Sequence, residues 1–318
     1  PTKNLVNQVR KLSKNQAIFQ GEQIVAFFTS DTQENVDFDS YEQLKFQEDL
    51  IQIKHTSDIF SLNDKAIQAD FDLLTEGRTS QPIPDGVHTI QRQNIFIEQG
   101  ATVSYSSLNA SKGPIYIGKD SEIMEGCLVR GPFALGESSI LKMGTKVYGA
   151  TTVGPFCKVG GEINNSVLFG YSSKGHEGFL GNSVLGEWCN IGADSNSSNL
   201  KNNYAEVKLW NYENERFTNT GLQFCGLIMG DHSKCGINTM FNTGTVVGVS
   251  ANIFGSGFPR NFIPSFSWGG AAGFTIYQMK KVIEVAKVVM KRRDLELSET
   301  DISILQHVFD ETSKFRAK

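Results

Sequence analysis

Apolar residues in this chain keep more than one rhythm. From Ile117 they recur every six positions, in the hexads IGKDSE, IMEGCL, VRGPFA, LGESSI, LKMGTK, VYGATT, VGPFCK and VGGEIN. The first position is Ile, Val or Leu in all eight, from Ile117 to Val159, and glycine follows it in four. The beat then slips by two residues. It resumes at Val167 with VLFGYS, SKGHEG, FLGNSV, LGEWCN and IGADSN, and returns from Met229 to Phe258 with MGDHSK, CGINTM, FNTGTV, VGVSAN and IFGSGF. A six-residue period with an aliphatic start predicts one short strand and one turn per hexad. Three hexads close a coil, and coils stack at the strand spacing of about 4.8 Å. The aliphatic points inward, and the small residue after it lets the backbone turn. The expected fold is mainly β, a parallel β-helix over residues 86–270. Hexapeptide repeats of this kind wind left-handed as a class, against the usual crossover rule.

Other stretches follow other periods. Residues 1–85 read as an α/β segment. NLVNQVRKL is helical in pattern, EQIVAFFTS is a buried strand, and SYEQLKFQEDL and LNDKAIQADFDLLTEG are helices, the last ending at Gly77. Residues 88–115 form early, less regular coils. Residues 196–226 have no six-residue beat. EVKLW and ERFTN around YEN predict a β-hairpin that projects from the coil as a covering loop. Over 271–318, Met279, Val282, Ile283, Ala286, Val289 and Met290 mark one amphipathic helix. Ser298 and Asp301 cap a second, whose apolar face is Ile302, Leu305, Val308 and Phe309. These helices are expected to cap the end of the coil or to pack on a neighbouring subunit. The Phe-rich stretch 254–270 is expected to plug the last coil.

Composition narrows the function classes. A net charge of −4 gives no drive toward nucleic acid or an anionic membrane. No apolar run reaches the length of a membrane span. Five cysteines without a C-x-x-C pair read as reduced, core-filling thiols of a cytoplasmic protein. The chain opens at Pro1 and not at Met, so a fragment or a processed product is expected.

One hexad breaks the pattern. SKGHEG starts with Ser173, and its fourth residue, His176, is a turn position expected to face outward. The plain reading is a solvated surface histidine. Three features favour chemistry: the polar coil edge, Asn190 about one coil later on the same side, and the long polar loop that follows. An amine attacking a thioester must lose a proton, and imidazole accepts one near neutral pH. Backbone N–H groups in tight glycine turns can hold the oxyanion. His232, beside Asp231 and near Cys235, reads as a solvated turn histidine, since a metal site there lacks a fourth ligand.

The segment GGEINNSVLFGYSSKGHEGFLGNSVLGEWCNIGADS is similar to the β-helix domain of the N-acetylglucosamine-1-phosphate uridylyltransferase/glucosamine-1-phosphate acetyltransferase family. The matching residues are Glu162, His176, Leu180-Gly181, Asn190, Ile191-Gly192-Ala193 and Asn199. Asn164 stands where the family has lysine, Phe179 where it has tyrosine, and GADS where it has GAGT. The resemblance covers roughly 115–265. It implies a homotrimer with sites between neighbouring coils, acetyl-CoA as donor and a sugar phosphate or nucleotide sugar as acceptor. It also implies His176 as general base, with Glu162, Asn164, Phe179, Asn190 and Asn199 at the acceptor. Asn199, Lys201 and Arg292 are the candidates for the donor, the last from a helix rich in Lys and Arg that suits phosphate. Residues 1–85 resemble the tail of the family's nucleotidyltransferase domain without its phosphate loop. Nucleotidyl transfer, with Mg2+, is therefore expected only of a longer parent, with the coil as trimer scaffold. A non-catalytic assembly module is the third alternative.

Overall fold

The computed structural model describes residues 2–29 and 36–316. It divides into two compact units, Pro1–Gln52 and Ile53–Lys318. In the first, α1 (Lys3–Val9) starts on the Thr2 side chain, which accepts from the Leu5 N–H. Strands Gln16–Gln20 and Gln23–Phe28 pair antiparallel, and Glu42–Lys45 joins the first of them in parallel. Leu5, Ile18 and Phe46 form the core. The helix expected over SYEQLKFQEDL is therefore a strand. Its Leu44 packs on this core and Phe46 is buried in it, so sheet packing overrides a weak local preference.

The second unit is a three-sided parallel β-helix. Its first face runs through strands at 88–90, 107–109, 128–130, 146–148, 162–164 and 179–181. The second face has nine strands from Ile95–Ile97 to Phe262–Ile263, and the third has ten from Thr102–Val103 to Gly273–Ile276. The inward residues are the aliphatic starts read from the sequence, with Ile117, Ile123, Leu135, Leu141, Val153 and Val159 fully buried. All five cysteines are free and buried. Burial pushes the Cys157, Cys189 and Cys225 thiols up to about 12, which leaves them protonated and unreactive.

The slip in the repeat has a local cause. After Val159 the inward residues are Ile163, Leu168 and Lys174, so two sides of this coil are shorter than six. Gly160 and Gly161 make the tight turn. A Cβ on Gly160 would lie 2.6 Å from the Gly175 carbonyl oxygen, and Gly161 has φ +79. The inward residue of the histidine-bearing hexad is consequently Lys174, in register with Val159, and not Ser173.

The second face is buried on both sides. Val167, Val184, Ile228 and Val246 point outward and are covered by Phe60 and by Val207 and Leu209. Phe60 belongs to α2 (Asp58–Ser61), which leads into α3 (Asn63–Thr75). The Asn63 amide donates to the Ala150 carbonyl at 2.9 Å and accepts from the Thr152 hydroxyl at 2.9 Å, tying α3 to the coil. The predicted hairpin forms between Lys208–Asn211 and Arg216–Asn219. It does not project. Leu209 and Trp210 lie against the second face, with the Trp210 ring stacked 4.1 Å from that of Phe262. Asn196–Ser197 still pairs as coil strand with Met240–Phe241, so the interruption begins later than residue 196.

The corner between the second and third faces carries an aromatic ladder. Phe156, Tyr171, Trp188 and His232 occupy one left-handed turn position in successive coils, with φ of 59, 60, 60 and 59. Their rings stack at 5.0, 4.2 and 6.2 Å, nearly parallel. Helices α4 (Met279–Lys291) and α5 (Glu299–Glu311) lie along this ladder, burying Val282, Ala286, Met290 and Leu305 against Trp188 and Phe266. They flank the coil and do not cap its end. Ser298 and Asp301 form the expected capping box. Residues 262–263 and 267–270 form coil strands, so the Phe-rich stretch is a last coil and not a plug. His232, expected to be solvated, is half-buried in the ladder, and its Nδ1 is buried with no partner among the described residues.

Candidate functional site

His176 sits in the turn 175–178, between third-face strand Ser173–Lys174 and first-face strand Phe179–Gly181. Its side chain is exposed and makes no hydrogen bond with the described residues. The turn itself is fixed. Asp194 N–H donates to the Glu177 carbonyl at 3.0 Å, and Gly178 has φ +115, with the Ser195 carbonyl 2.1 Å from where a Cβ would be. No side chain fits at Gly178, so the chain enters Phe179 along one path.

Around this turn the first face collects most of the predicted acceptor residues. Glu162 stands opposite Phe179 and Asn164 opposite Gly181 in parallel register. Tyr148, one coil earlier, donates its hydroxyl to Glu162 Oε1 at 2.6 Å. That bond, more than burial, pushes the Tyr148 phenol up to about 12. The Lys146 ammonium lies 3.7 Å from the Glu177 carboxylate. Phe179 N–H donates to Asn196 Oδ1 at 2.8 Å, and Asn199 Nδ2 donates to Asn182 Oδ1 at 2.8 Å. A Cβ on Gly181 would fall 2.5 Å from the Phe179 ring and 2.7 Å from Asn199 Nδ2. Gly181 thus brings ring and amide together above the backbone. A groove of about 500 Å³ continues along this face between His88, Ile90, Leu128, Arg130 and Tyr148.

Asn190 is elsewhere. It stacks on Ser173 and under Lys234 in the third face, so it does not stack with His176. It lines a cleft of about 450 Å³ with Lys158, Lys234, Arg292 and Arg293, floored by Tyr171 and Trp188. Four cations and no carboxylate line this cleft. Burial lowers the Lys158 ammonium below its ordinary value, and Arg293, Lys142 and Arg292 lower it further. Burial also lowers Lys234, whose Nζ donates to the His232 carbonyl at 2.9 Å. The basic face of α4, legible in the sequence, supplies Arg292. Lys158 and Lys234 were missed because each is a single charged residue in an outward repeat position, where charge is ordinary. Lys201 joins neither group. Its Nζ donates to the Glu206 carbonyl at 2.8 Å, and it lines a separate hollow of about 650 Å³ with Lys208, Arg260 and Phe262.

One coil therefore carries two chemically distinct surfaces. The first face presents a carboxylate, amides, an aromatic ring and, at its edge, an imidazole. The third face presents a cationic cleft suited to phosphate. Among the described residues no cluster of three or more His, Cys, Asp or Glu could hold a metal, and no helix is long and apolar enough to cross a membrane.

Comparison with known proteins gives four results. A family model described as sugar nucleotidyl transferase matches residues 1–79. The chain is 30% identical over 149 residues to the bifunctional sugar-1-phosphate nucleotidylyltransferase/acetyltransferase of Sulfurisphaera tokodaii, covering 45% of this chain and 36% of the relative. It is 32% identical over 87 residues to the bifunctional protein GlmU of Methanocaldococcus jannaschii, covering 27% and 21%. The chain thus spans about a third or less of the length of these relatives. A solved hexapeptide transferase family protein from Anaplasma phagocytophilum overlays 70% of this chain and 92% of its own, at 14% identity and a TM-score of 0.31, too loosely to bear on function. The chain resembles the family of bifunctional sugar-phosphate nucleotidyltransferases/acetyltransferases.

Proposed function

We propose, on the premise of that resemblance, that the chain transfers an acetyl group from acetyl-CoA to the amino group of a sugar phosphate or nucleotide sugar. The observation that carries this reading is the exposed His176 imidazole at the edge of a face bearing Glu162, Asn164, Phe179 and Asn199. His176 acts as general base. It takes a proton from the amine as nitrogen attacks the thioester carbonyl. Collapse of the tetrahedral adduct forms the amide, breaks the C–S bond and returns that proton to the coenzyme sulfur. Glu162, held by Tyr148, accepts hydrogen bonds from acceptor hydroxyls or its ammonium, and Phe179 stacks on the sugar ring.

Arg292, with Arg293, Lys158 and Lys234, binds the phosphates of coenzyme A, and Asn190 orients the pantetheine or acceptor end beside them. His176 and this cleft belong to different faces of one coil. The homotrimer that the resemblance implies would pair the His176 face of one chain with the cationic cleft of its neighbour. Asn199 supports the acceptor side. Lys201, bonded inside its own loop, is the weakest donor contact. The match over residues 1–79 favours a second activity in a longer parent protein, sugar nucleotidyl transfer with Mg2+, the coil then also serving as scaffold.

The test is coenzyme A release from acetyl-CoA with a panel of amino-sugar phosphates and nucleotide amino sugars, run beside His176→Ala. Turnover lost by about 10²–10⁴-fold in the variant supports the reading. No turnover with any acceptor, in this chain and in its longer parent, sinks it in favour of a scaffold.

A further inference from the structure

A lysine lies inside the coil where the repeat calls for an aliphatic residue. Lys174 is 1% exposed, and its strand pairs it with inward-facing Val159. Its Nζ donates to three backbone carbonyls: Gly160 at 3.0 Å, His176 at 2.5 Å and Glu177 at 3.3 Å. Two of these belong to the turn that carries His176, and the third to the tight Gly-Gly turn stacked against it. An ammonium with no acceptors would not remain in such a core. Here its three N–H groups meet three carbonyls. Burial disfavours its charge most, the carboxylates of Glu177 and Asp194 offset part of this, and Lys146 opposes it.

We propose that Lys174 is a positioning residue: from inside the core it fastens the turn 175–178, and so fixes where the His176 imidazole stands relative to the first face. The proposal rests on the acyl-transfer reading only for its catalytic consequence. The mechanical part stands alone. The His176 side chain makes no hydrogen bond with the described residues, so the backbone of its turn sets its place. That backbone is held from within by Lys174 and from the next coil by Asp194. A methionine at position 174 matches the length and restores an apolar interior, but donates nothing to the three carbonyls.

The experiment compares the full chain with Lys174→Met. Amide hydrogen exchange, read by mass spectrometry, is expected to rise at least tenfold at the Glu162 and Asp194 amides, which donate to the Gly178 and Glu177 carbonyls of the turn, with little change in coils at 117–159 and 228–253. Where acyl transfer is measurable, kcat is expected to fall about tenfold or more with KM for acetyl-CoA within about threefold. Unchanged exchange at the Glu162 and Asp194 amides would overturn the proposal, whatever the activity. Faster exchange there with no turnover in either protein would retain the clamp and count against the acyl-transfer reading alone. If Lys174→Met fails to fold, the unaltered protein still decides. Brief acetylation with N-acetoxysuccinimide should spare Lys174 while labelling half-exposed Lys146, and should reach Lys174 only in urea. Native labelling of both at equal rates would overturn the burial on which the clamp depends.

Discussion

Acid should loosen this protein through His232, and the structure fixes how much. The ring stacks on Trp188 at 6.2 Å beneath α4 and α5, with Nδ1 buried and unpartnered among the described residues. Burial, then the nearby Lys234 ammonium, lowers it to about 4, with Asp301 opposing weakly. In the unfolded chain a histidine titrates near 6.5. Between those values the unfolded chain binds the proton and the folded one does not. Stability is therefore present above about pH 6.5 and lost as pH falls toward 4. At pH 5 the loss is about 2 kcal/mol by linkage, trimmed to about 1–2 because the ring is partly exposed. His232→Phe removes the titration without disturbing the turn, since Phe156 in the ladder and Phe266 at the same turn position two coils on already hold φ of 59 and 57. Urea unfolding followed by tryptophan fluorescence, at pH 7.5 and pH 5.0, reads the difference. The variant should lose about 1–2 kcal/mol less than the unaltered protein over that interval. Equal losses in both would refute the assignment of acid sensitivity to this ring.

Three further outcomes follow from packing and charge. Phe60→Ala empties a fully buried position between α2 and the outward valines of the second face, and should cost about 3–5 kcal/mol in urea unfolding. Tyr148→Phe removes the phenol that donates to Glu162, and should raise acceptor KM several-fold while leaving KM for acetyl-CoA unchanged in steady-state assays. Arg293→Ala removes one of the four cations of the third-face cleft. It should raise KM for acetyl-CoA about tenfold, or about 1.4 kcal/mol, with a weaker salt dependence than the unaltered protein shows.

The coil was legible because its period is strict and its inward residues are aliphatic. Ile117 to Val159 keep the beat without exception, and each of those eight residues is buried. A subtler signal marked the covered second face. Val167-Leu168, Val184-Leu185, Ile228-Met229 and Val246-Val247 are apolar pairs where a solvated strand would alternate, so both sides of these strands are buried. That pairing identifies where the hairpin lies down, whereas hairpin pattern alone predicts only its strands. The ladder was harder to see. Phe156, Tyr171, Trp188 and His232 are not equally spaced in sequence, because a short coil and an inserted loop separate them. Only three-dimensional stacking reveals one column. At the candidate site, Glu162, Phe179 and His176 were found near one another, while Asn190 was placed by counting residues. The count took Asn190 as one short coil beyond His176, whereas Asn190 pairs with Ser173, three residues earlier; separately, the inward register begins at Lys174, one residue after the Ser173 start read from the hexads.

That one-residue offset matters most at Lys174, which local rules would keep out of a core. A buried lysine here lowers its own proton affinity, from 10.5 to about 8, chiefly by desolvation. The unfolded chain holds the proton up to about pH 10.5, so the folded state carries a penalty at every pH below about 8. Stability should rise as pH climbs from 8 to 10.5, by up to about 3 kcal/mol. Lys174→Met should lack this rise, because nothing titrates at the position. Parallel pH profiles of the two proteins, from thermal unfolding between pH 7.5 and 10.5, would refute the burial of a titrating amine. An aliphatic residue would fill the same space without that penalty, as it does at Val159 and Ile191 on either side. A local rule broken at a measurable cost in stability, directly behind the only exposed histidine turn of the first face among the described residues, is the pattern of a side chain retained for what it holds.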